Sequence, residues 1–250
     1  MTGTARPTLR DEQWRYADGA VLERLAPERF DQWRDLALAP GETRRECFVL
    51  DGAEPELVRL RVSVGEGARC ELFAVNAGHD YTRMEVAVRL ARGAHFQFGG
   101  VTIGGGDAVR EFVTRLDHAE PEATSGQVVR AVHWGTATGN FLGRIAVARG
   151  AQKTDAAQDF KGLLLERGAT TNAKPELEIY ADDVKCAHGA AIGQFDEAAR
   201  FYMAARGIAP EAARRLLVRA FIGDAFAALG NDAEQERMME AALTALGDRA

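Results

Sequence analysis

The sequence has few cysteines and no long apolar run. Its 250 residues include only Cys47, Cys70 and Cys186, and none lies in Cys-x-x-Cys spacing, which argues against a disulfide framework or a four-thiolate zinc site. Nowhere do 18 apolar residues follow one another, and residues 1–10 lack the apolar core of a secretory signal. We therefore expect a cytoplasmic protein with no membrane partner.

Clusters of basic residues are missing as well. The formal net charge is −6, whereas proteins that bind nucleic acid usually present Lys and Arg to replace the counterions of the phosphates. We therefore expect no nucleic-acid partner. With 46% apolar residues, the chain is long enough to bury a core without disulfides or metals.

Short alternating runs fill the middle of the chain. Apolar and polar residues alternate over 57–64, 83–90 and 127–132, which is the pattern of β-strands. Gly-Ala pairs precede several such runs, at positions 67, 93, 150 and 168. Many short strands without intervening helices indicate a sandwich, a barrel or a β-solenoid, and the internal similarity favours the solenoid.

Both ends of the chain have helical spacing instead. Residues 8–38 predict two or three short helices before Pro40, and residues 196–247 predict three more. In the second group, Gly207 and Gly230 suit helix ends, Pro210 suits a first turn and Asn231 suits a cap. The sequence thus predicts a helical segment over 1–45, a β core over 46–190 and a helical domain over 191–250.

One predicted C-terminal helix carries an apolar stripe of Leu217, Phe221, Ala225 and Ala228. The stripe is typical of a helix that packs on its own β core. The alternative is a contact with another protein, because a small terminal helical bundle has little core of its own.

Cys186 and His188 are two positions apart at the end of a strand-like run, so their side chains share one face. Thiolate and imidazole suit iron, zinc or copper. Lys185 favours the thiolate, whereas Asp182 and Asp183 oppose it. Two ligands do not make a tight metal site, so the others come from distant residues or another subunit, or else the pair is structural.

Two enzymatic alternatives stay open. One is a β-solenoid that cleaves carbohydrates with a pair of carboxylates, for which the candidates are Asp107, Glu111, Asp117 and Glu120. The other is a thiol-dependent enzyme that uses Cys186 and His188. The triple glycine at 104–106 lacks the Gly-Lys-Ser/Thr ending of a phosphate loop and is interpreted as a turn, and single histidines such as His79, His95, His118 and His133 are interpreted as structural.

Residues 172–190, Asn-Ala-Lys-Pro-Glu-Leu-Glu-Ile-Tyr-Ala-Asp-Asp-Val-Lys-Cys-Ala-His-Gly-Ala, closely resemble the C-terminal core of the SufD family of iron–sulfur cluster assembly subunits. Residues 201–208 and 220–222 resemble the helical tail of that family, and 11–16 an element near its start. The chain is shorter than is usual for the family. The resemblance implies a right-handed parallel β-helix with a C-terminal helical segment, for which we expect five to seven coils of about 20 to 25 residues.

The resemblance also implies a function. Members of the family are scaffold subunits rather than enzymes, pairing with a SufB paralogue through the β-helix and with a SufC ATPase through the C-terminal helices. It makes His188, with Cys186 beside it, the candidate ligand of iron or a cluster at the SufB interface. Phe201, Leu217 and Phe221 become candidates for docking the ATPase. We expect no tightly bound cofactor in the isolated chain, a transient cluster or iron at the subunit interface, and a homodimer as an alternative pairing.

Overall fold

The computed structural model describes residues 6–194 and 197–247. Its main body is a parallel β-solenoid of about six turns, which confirms the predicted fold class and coil number. The strands are β1 (Arg34–Leu38), β2 (Thr43–Leu50), β3 (Glu56–Val64), β4 (Arg69–Asn76), β5 (Tyr81–Leu90), β6 (His95–Gly104), β7 (Val109–His118), β8 (Thr124–His133), β9 (Thr138–Val147), β10 (Asp155–Leu164), β11 (Thr170–Ile179) and β12 (Lys185–Gln194).

Successive strands lie in opposite sheets. The odd-numbered strands form one six-stranded sheet in the order β1-β3-β5-β7-β9-β11, and the even-numbered strands form the other. The coils are longer than predicted. Leu60 aligns with Val86, 26 positions on, and Gly143 aligns with Pro175, 32 positions on, because strands of ten residues replace the shorter ones that the alternating runs predicted.

The core lies between the two sheets. Alternate residues of each strand point inward, and equivalent inward positions of successive coils stack on one another. Phe98 meets Phe112 edge to face at 5.3 Å between centroids, and Phe141 stacks on Phe160 at 5.6 Å. These rows of side chains remove apolar surface from water along the whole solenoid.

The N-terminal segment is only partly helical. It contains a 3₁₀ turn at Glu12–Trp14, α1 (Gly19–Arg24) and a second 3₁₀ turn at Pro27–Asp31. The helical interpretation of residues 8–38 was wrong beyond Asp31, because Arg34–Leu38 is strand β1 and the solenoid therefore begins before residue 46. Leu36, which the helical spacing included, and Leu38 are inward core residues of that strand.

The segment covers the outer face of the odd-numbered sheet. Trp14 and Phe30 pack there against Tyr81, over a buried ion pair in which Arg83 Nη1 lies 3.1 Å from a carboxylate oxygen of Glu111. The guanidinium carbon of Arg83 is 3.8 Å from the centroid of the Trp14 ring. Arg83 and Glu111 thus neutralise each other beneath the cover, and the Trp14 ring lies against the guanidinium as in a cation–π contact.

Three helices follow the solenoid: α2 (Glu197–Ala205), α3 (Pro210–Phe226) and α4 (Asp232–Leu246). The local signals hold, since Pro210 lies in the first turn of α3, Gly230 is left-handed (φ 62°) and the Asn231 side chain accepts a hydrogen bond from the Glu234 N–H. Helices α3 and α4 pack on the outer face of the even-numbered sheet.

The buried face of α3 is shifted by one residue from the predicted stripe. Val218, Ile222, Ala225 and Phe226 are buried against the sheet, whereas Leu217 and Phe221 are half-buried and Ala228 is exposed. The close approach needs Gly99 on β6, because a Cβ there would collide with the carbonyl oxygen of Ala225. The predicted division at 45/46 falls within β2, and the one at 190/191 falls within β12.

Candidate functional site

The last coil of the solenoid ends in two unpaired strand edges. Strand β11 pairs with β9 and β12 pairs with β10, and no other described strand lies beside either of them. The backbone groups on the free edges are therefore available to a further strand. This end of the solenoid, formed by residues 170–179 and 185–194, is called here the open edge.

Strand β12 is long, nearly uncharged and made mostly of small residues. Its ten residues, Lys-Cys-Ala-His-Gly-Ala-Ala-Ile-Gly-Gln, contain one charged side chain, and all are exposed except Cys186. Apolar side chains are exposed nearby, with exposed fractions of 40% for Ile179, 64% for Tyr180 and 49% for Ile192. A long exposed edge without charges is the kind that natural monomers usually protect.

Cys186 and His188 lie on this strand with both side chains at inward positions, as their spacing predicted. The register aligns them with Ala156 and Gln158 of β10, which are buried between the sheets. Cys186 is half-buried against the end of the core, and His188 is exposed. The pair thus faces the open end of the solenoid, about 6.5 Å apart along the strand.

The Cys186 thiol is not activated. Burial raises its pKa, and the carboxylate of Asp155 on the neighbouring strand raises it further. The expectation that Lys185 would promote the thiolate was therefore wrong, and the opposing carboxylate is Asp155 rather than Asp182 or Asp183. Asp183 is instead paired with Lys153. A thiolate at Cys186 needs a metal or a new cation to stabilise it.

Within residues 6–194 and 197–247, no three His, Cys, Asp or Glu side chains come together in a way that could hold a metal ion. Cys186 and His188 accordingly gain no third ligand from the described part of the chain. A site that includes them would need ligands from elsewhere.

The opposite end of the solenoid, formed by β1 and β2, also has unpaired strand edges, but its side chains differ from those of the open edge. Arg34 of β1 and Arg44 and Glu46 of β2 all lie at inward positions. Glu46 pairs with Arg34 and with Arg44, each at 2.9 Å. Inward-pointing charges on edge strands oppose pairing with another sheet. At the open edge, β11 carries Pro175 and the charged Lys174, Glu176 and Glu178, so β12 is the unprotected strand. The sequence did not indicate this difference, because the strand register is needed to place the three charges.

The candidate docking residues lie on the outer surface of the helices. Phe201 on α2 is 77% exposed and Tyr202 is 57% exposed. On α3, Leu216 is 49% exposed, and Leu217 and Phe221 are half-buried. Helices α2 and α3 are in contact, and Phe221 also packs against the core beneath α3.

Several other residues singled out in the sequence have structural surroundings. His118 and His133 are buried in the solenoid, and burial lowers their pKa to about 4 and about 3. The Glu111 carboxylate is held by Arg83 and by the hydroxyl of Tyr81. Glu120 accepts a hydrogen bond from the Arg92 N–H. Gly104–Gly106 lead from β6 into the turn before β7, as expected.

Among the described residues, no helix combines the length and apolarity that a membrane span requires.

The sequence was compared with protein families and with known proteins, and it matches a family of iron–sulfur cluster assembly proteins. Residues 51–221 match the profile described as the SUF system FeS cluster assembly, SufBD core domain. The chain is 33% identical over 164 residues, 65% of its length, to an iron–sulfur cluster assembly SufBD family protein of Synechocystis. It is 47% identical over 107 residues (42%) to the chloroplastic protein ABCI7 of Arabidopsis thaliana and 35% identical over 126 residues (50%) to the iron–sulfur cluster assembly protein SufD of Escherichia coli. These matches cover 36%, 22% and 30% of the three relatives, so the chain spans well under half of their lengths.

Proposed function

This chain belongs to the SufBD family of the SUF iron–sulfur cluster assembly system, and on that premise we propose that it is a non-catalytic scaffold subunit of cluster assembly. It pairs with a SufB-like paralogue through the open edge and with a SufC-like ATPase through its C-terminal helices. The cluster is the cargo of this assembly rather than a resident cofactor.

The observation that carries the proposal is the difference between the two ends of the solenoid. The open edge offers unpaired strands, small side chains and exposed Ile179 and Ile192, whereas the opposite edge carries three inward charges. A second β-solenoid can continue the even-numbered sheet at β12, where main-chain hydrogen bonds give affinity and the exposed side chains fill the junction. An isolated chain can use the same edge to form a homodimer.

Pairing at the open edge makes Cys186 and His188 half of a shared site. Both lie at inward positions of the strand beside which the partner's strand would lie, and the described part of this chain supplies no further ligand. His188 is the stronger candidate for iron or a cluster, because it is exposed while the Cys186 thiol is half-buried with a raised pKa. The raised pKa also disfavours the thiol-dependent enzyme, which needs a reactive thiolate.

The surface that includes Phe201, Leu217 and Phe221 is the candidate site for the ATPase. Exposed aromatic side chains are enriched at protein interfaces and supply much of their binding energy. Helix α3 links this surface to the solenoid, since its other face is buried on the even-numbered sheet. A movement of the ATPase can therefore reach the coils through a packed helix.

Co-expression with the two partners, followed by anaerobic reconstitution, tests the proposal. We expect His188→Ala to reduce the iron and sulfide bound per complex and Cys186→Ala to have a smaller effect, while His79→Ala, at an exposed histidine away from the open edge, serves as the matched control. Unchanged loading in His188→Ala would remove the ligand role. Failure of the wild-type chain to bind either partner would contradict the scaffold role itself.

A further inference from the structure

A cleft separates the turn after β6 from the end of α4. Its volume is about 930 Å³. One wall is formed by Gly104–Gly106, Arg110 and Trp134, and the other by Ala241, Thr244, Ala245 and Leu246. Asp51 and His79, both exposed, also line it. The cleft lies away from the open edge and takes no part in the proposed pairing.

Arg110 in this cleft is a buried charge without a counter-charge. Only 2% of the residue is exposed, and its Nε and Nη1 atoms have no hydrogen-bond partner among the described residues. The strand register places it between Thr82 and Gly139, neither of which is charged. A buried guanidinium without an acceptor is costly, so such a group calls for an explanation.

Other buried arginines of this protein have counter-charges. Arg83 pairs with Glu111, and Arg130 pairs with Asp159 and Asp224. Arg110 forms no ion pair with any described carboxylate, Asp51 included. Burial alone lowers the pKa of Arg110 to about 10. The pKa of His133 is lowered first by its own burial and then by the positive charge of Arg110.

Two glycines create the space around this guanidinium. A Cβ on Gly104 would collide with the guanidinium of Arg110, and a Cβ on Gly105 would collide with the indole nitrogen of Trp134. The bare backbone therefore admits a planar cation and an indole N–H, both of which only donate hydrogen bonds. On the facing wall, Ala241, Ala245 and Leu246 of α4 are apolar, and Thr244 lies among them with its hydroxyl donating to the carbonyl of Glu240.

We propose that this cleft binds a small organic phosphate, whose phosphate group pairs with Arg110 and whose apolar part lies between Trp134 and α4. A guanidinium binds phosphate oxygens through two parallel N–H groups. The alanines and Leu246 of α4 leave room for an apolar body, and the hydrogen of the Thr244 hydroxyl beside them is already donated to the carbonyl of Glu240. The anion supplies the counter-charge that the described residues do not give to Arg110.

The indole N–H of Trp134 provides a local readout. The chain has three tryptophans, so ¹⁵N-labelled protein gives three indole signals, and Trp134→Phe identifies the relevant one. At constant ionic strength, we expect inorganic phosphate to shift the Trp134 signal saturably and phenyl phosphate to bind more tightly, because it also buries an apolar ring. The signals of Trp14 and Trp33 should stay in place.

Variants of Arg110 decide whether the guanidinium holds the anion. Arg110→Met should weaken phenyl phosphate binding by about tenfold or more, the loss of a charge-assisted hydrogen bond, and Arg110→Lys should weaken it less. Arg69→Met, at an exposed arginine paired with Glu71, is the matched control and should bind normally. Arg110→Met should also raise the Tm in chloride buffer, and phenyl phosphate should stabilise only the proteins that keep the cation.

Three results would overturn the proposal. One is a Trp134 shift with uncharged benzyl alcohol as large as that with phenyl phosphate, which would mean a merely apolar cleft. Another is undiminished phosphate binding by Arg110→Met. The third is a Tm of Arg110→Met that is lowered equally in chloride and in phosphate, which would make Arg110 a structural residue.

Discussion

Proline substitutions at two adjacent alanines of β12, Ala190 and Ala191, distinguish an effect on pairing at the open edge from an effect on folding. The Lys185 N–H donates to the carbonyl of Thr154 at 2.8 Å, so its peptide groups point to β10. Peptide groups alternate in direction along a parallel strand. The N–H of Ala191 therefore points back at β10, and that of Ala190 points away, to the free edge. Both alanines are exposed.

Proline removes one N–H in each variant, but the loss falls on a different partner. In Ala190→Pro, one carbonyl of the pairing partner's strand no longer receives a hydrogen bond from β12. An unsatisfied acceptor costs about 1–3 kcal/mol of binding free energy. The Kd for the SufB-like partner should rise roughly 5- to 150-fold, with the free energy of unfolding nearly unchanged. In Ala191→Pro, the same cost of about 1–3 kcal/mol falls on the free energy of unfolding.

Sedimentation or calorimetry gives the Kd, and urea unfolding gives the stability of the isolated chain. Ala190→Ser and Ala191→Ser are matched controls, since they keep both N–H groups. Equal affinity of Ala190→Pro and wild type would refute pairing through the free edge of β12, provided that Ala191→Pro is the less stable variant. A large loss of stability in Ala190→Pro would instead refute the assignment of the two N–H directions.

Two further predictions concern the fold. Gly99→Ala should displace α3 and lower the free energy of unfolding by about 1–3 kcal/mol through overpacking, because the new Cβ meets the Ala225 carbonyl. Gly193→Ala is the matched control. Position 193 has open space around it, so this variant should have the stability of the wild type in the same urea experiment. The free energy of unfolding should also fall as the pH drops from about 6.5 to 5. The pKa of His118 and of His133 in the folded chain lies well below the unfolded value, so the unfolded chain takes up protons first. The loss is up to about 1.4 kcal/mol per pH unit for each histidine. His133→Gln should roughly halve that slope, and an equally steep slope in this variant would contradict the assignment.

Much of the fold could be predicted from local patterns in the sequence. The alternating run at 83–90 lies within β5, and the end signals at Pro210 and Asn231 lie where α3 and α4 begin. These features depend on neighbouring residues only. The same-face prediction for Cys186 and His188 held for the same reason, because the direction of side chains in a strand has a period of two.

Features that depend on register or on tertiary packing could not be predicted. Arg110 occupies an inward position, although an arginine in an alternating run is normally assigned to the solvent face. The buried face of α3 was misplaced because Leu217 and Val218 are both apolar, and only contact with β6 and β8 decides between them. Strand β1 was taken for helix because five residues are too few to distinguish the two periods.

The inward charges at one end of the solenoid and their absence at the other bear on how large an assembly can grow. A solenoid with two adhesive ends would add copies head to tail without limit, as an open filament does. If the chain pairs through the open edge as proposed, Glu46 and its two arginines at the other end leave each body a single adhesive end. Two bodies joined there present only charged ends to the solution, so the arrangement closes at a pair.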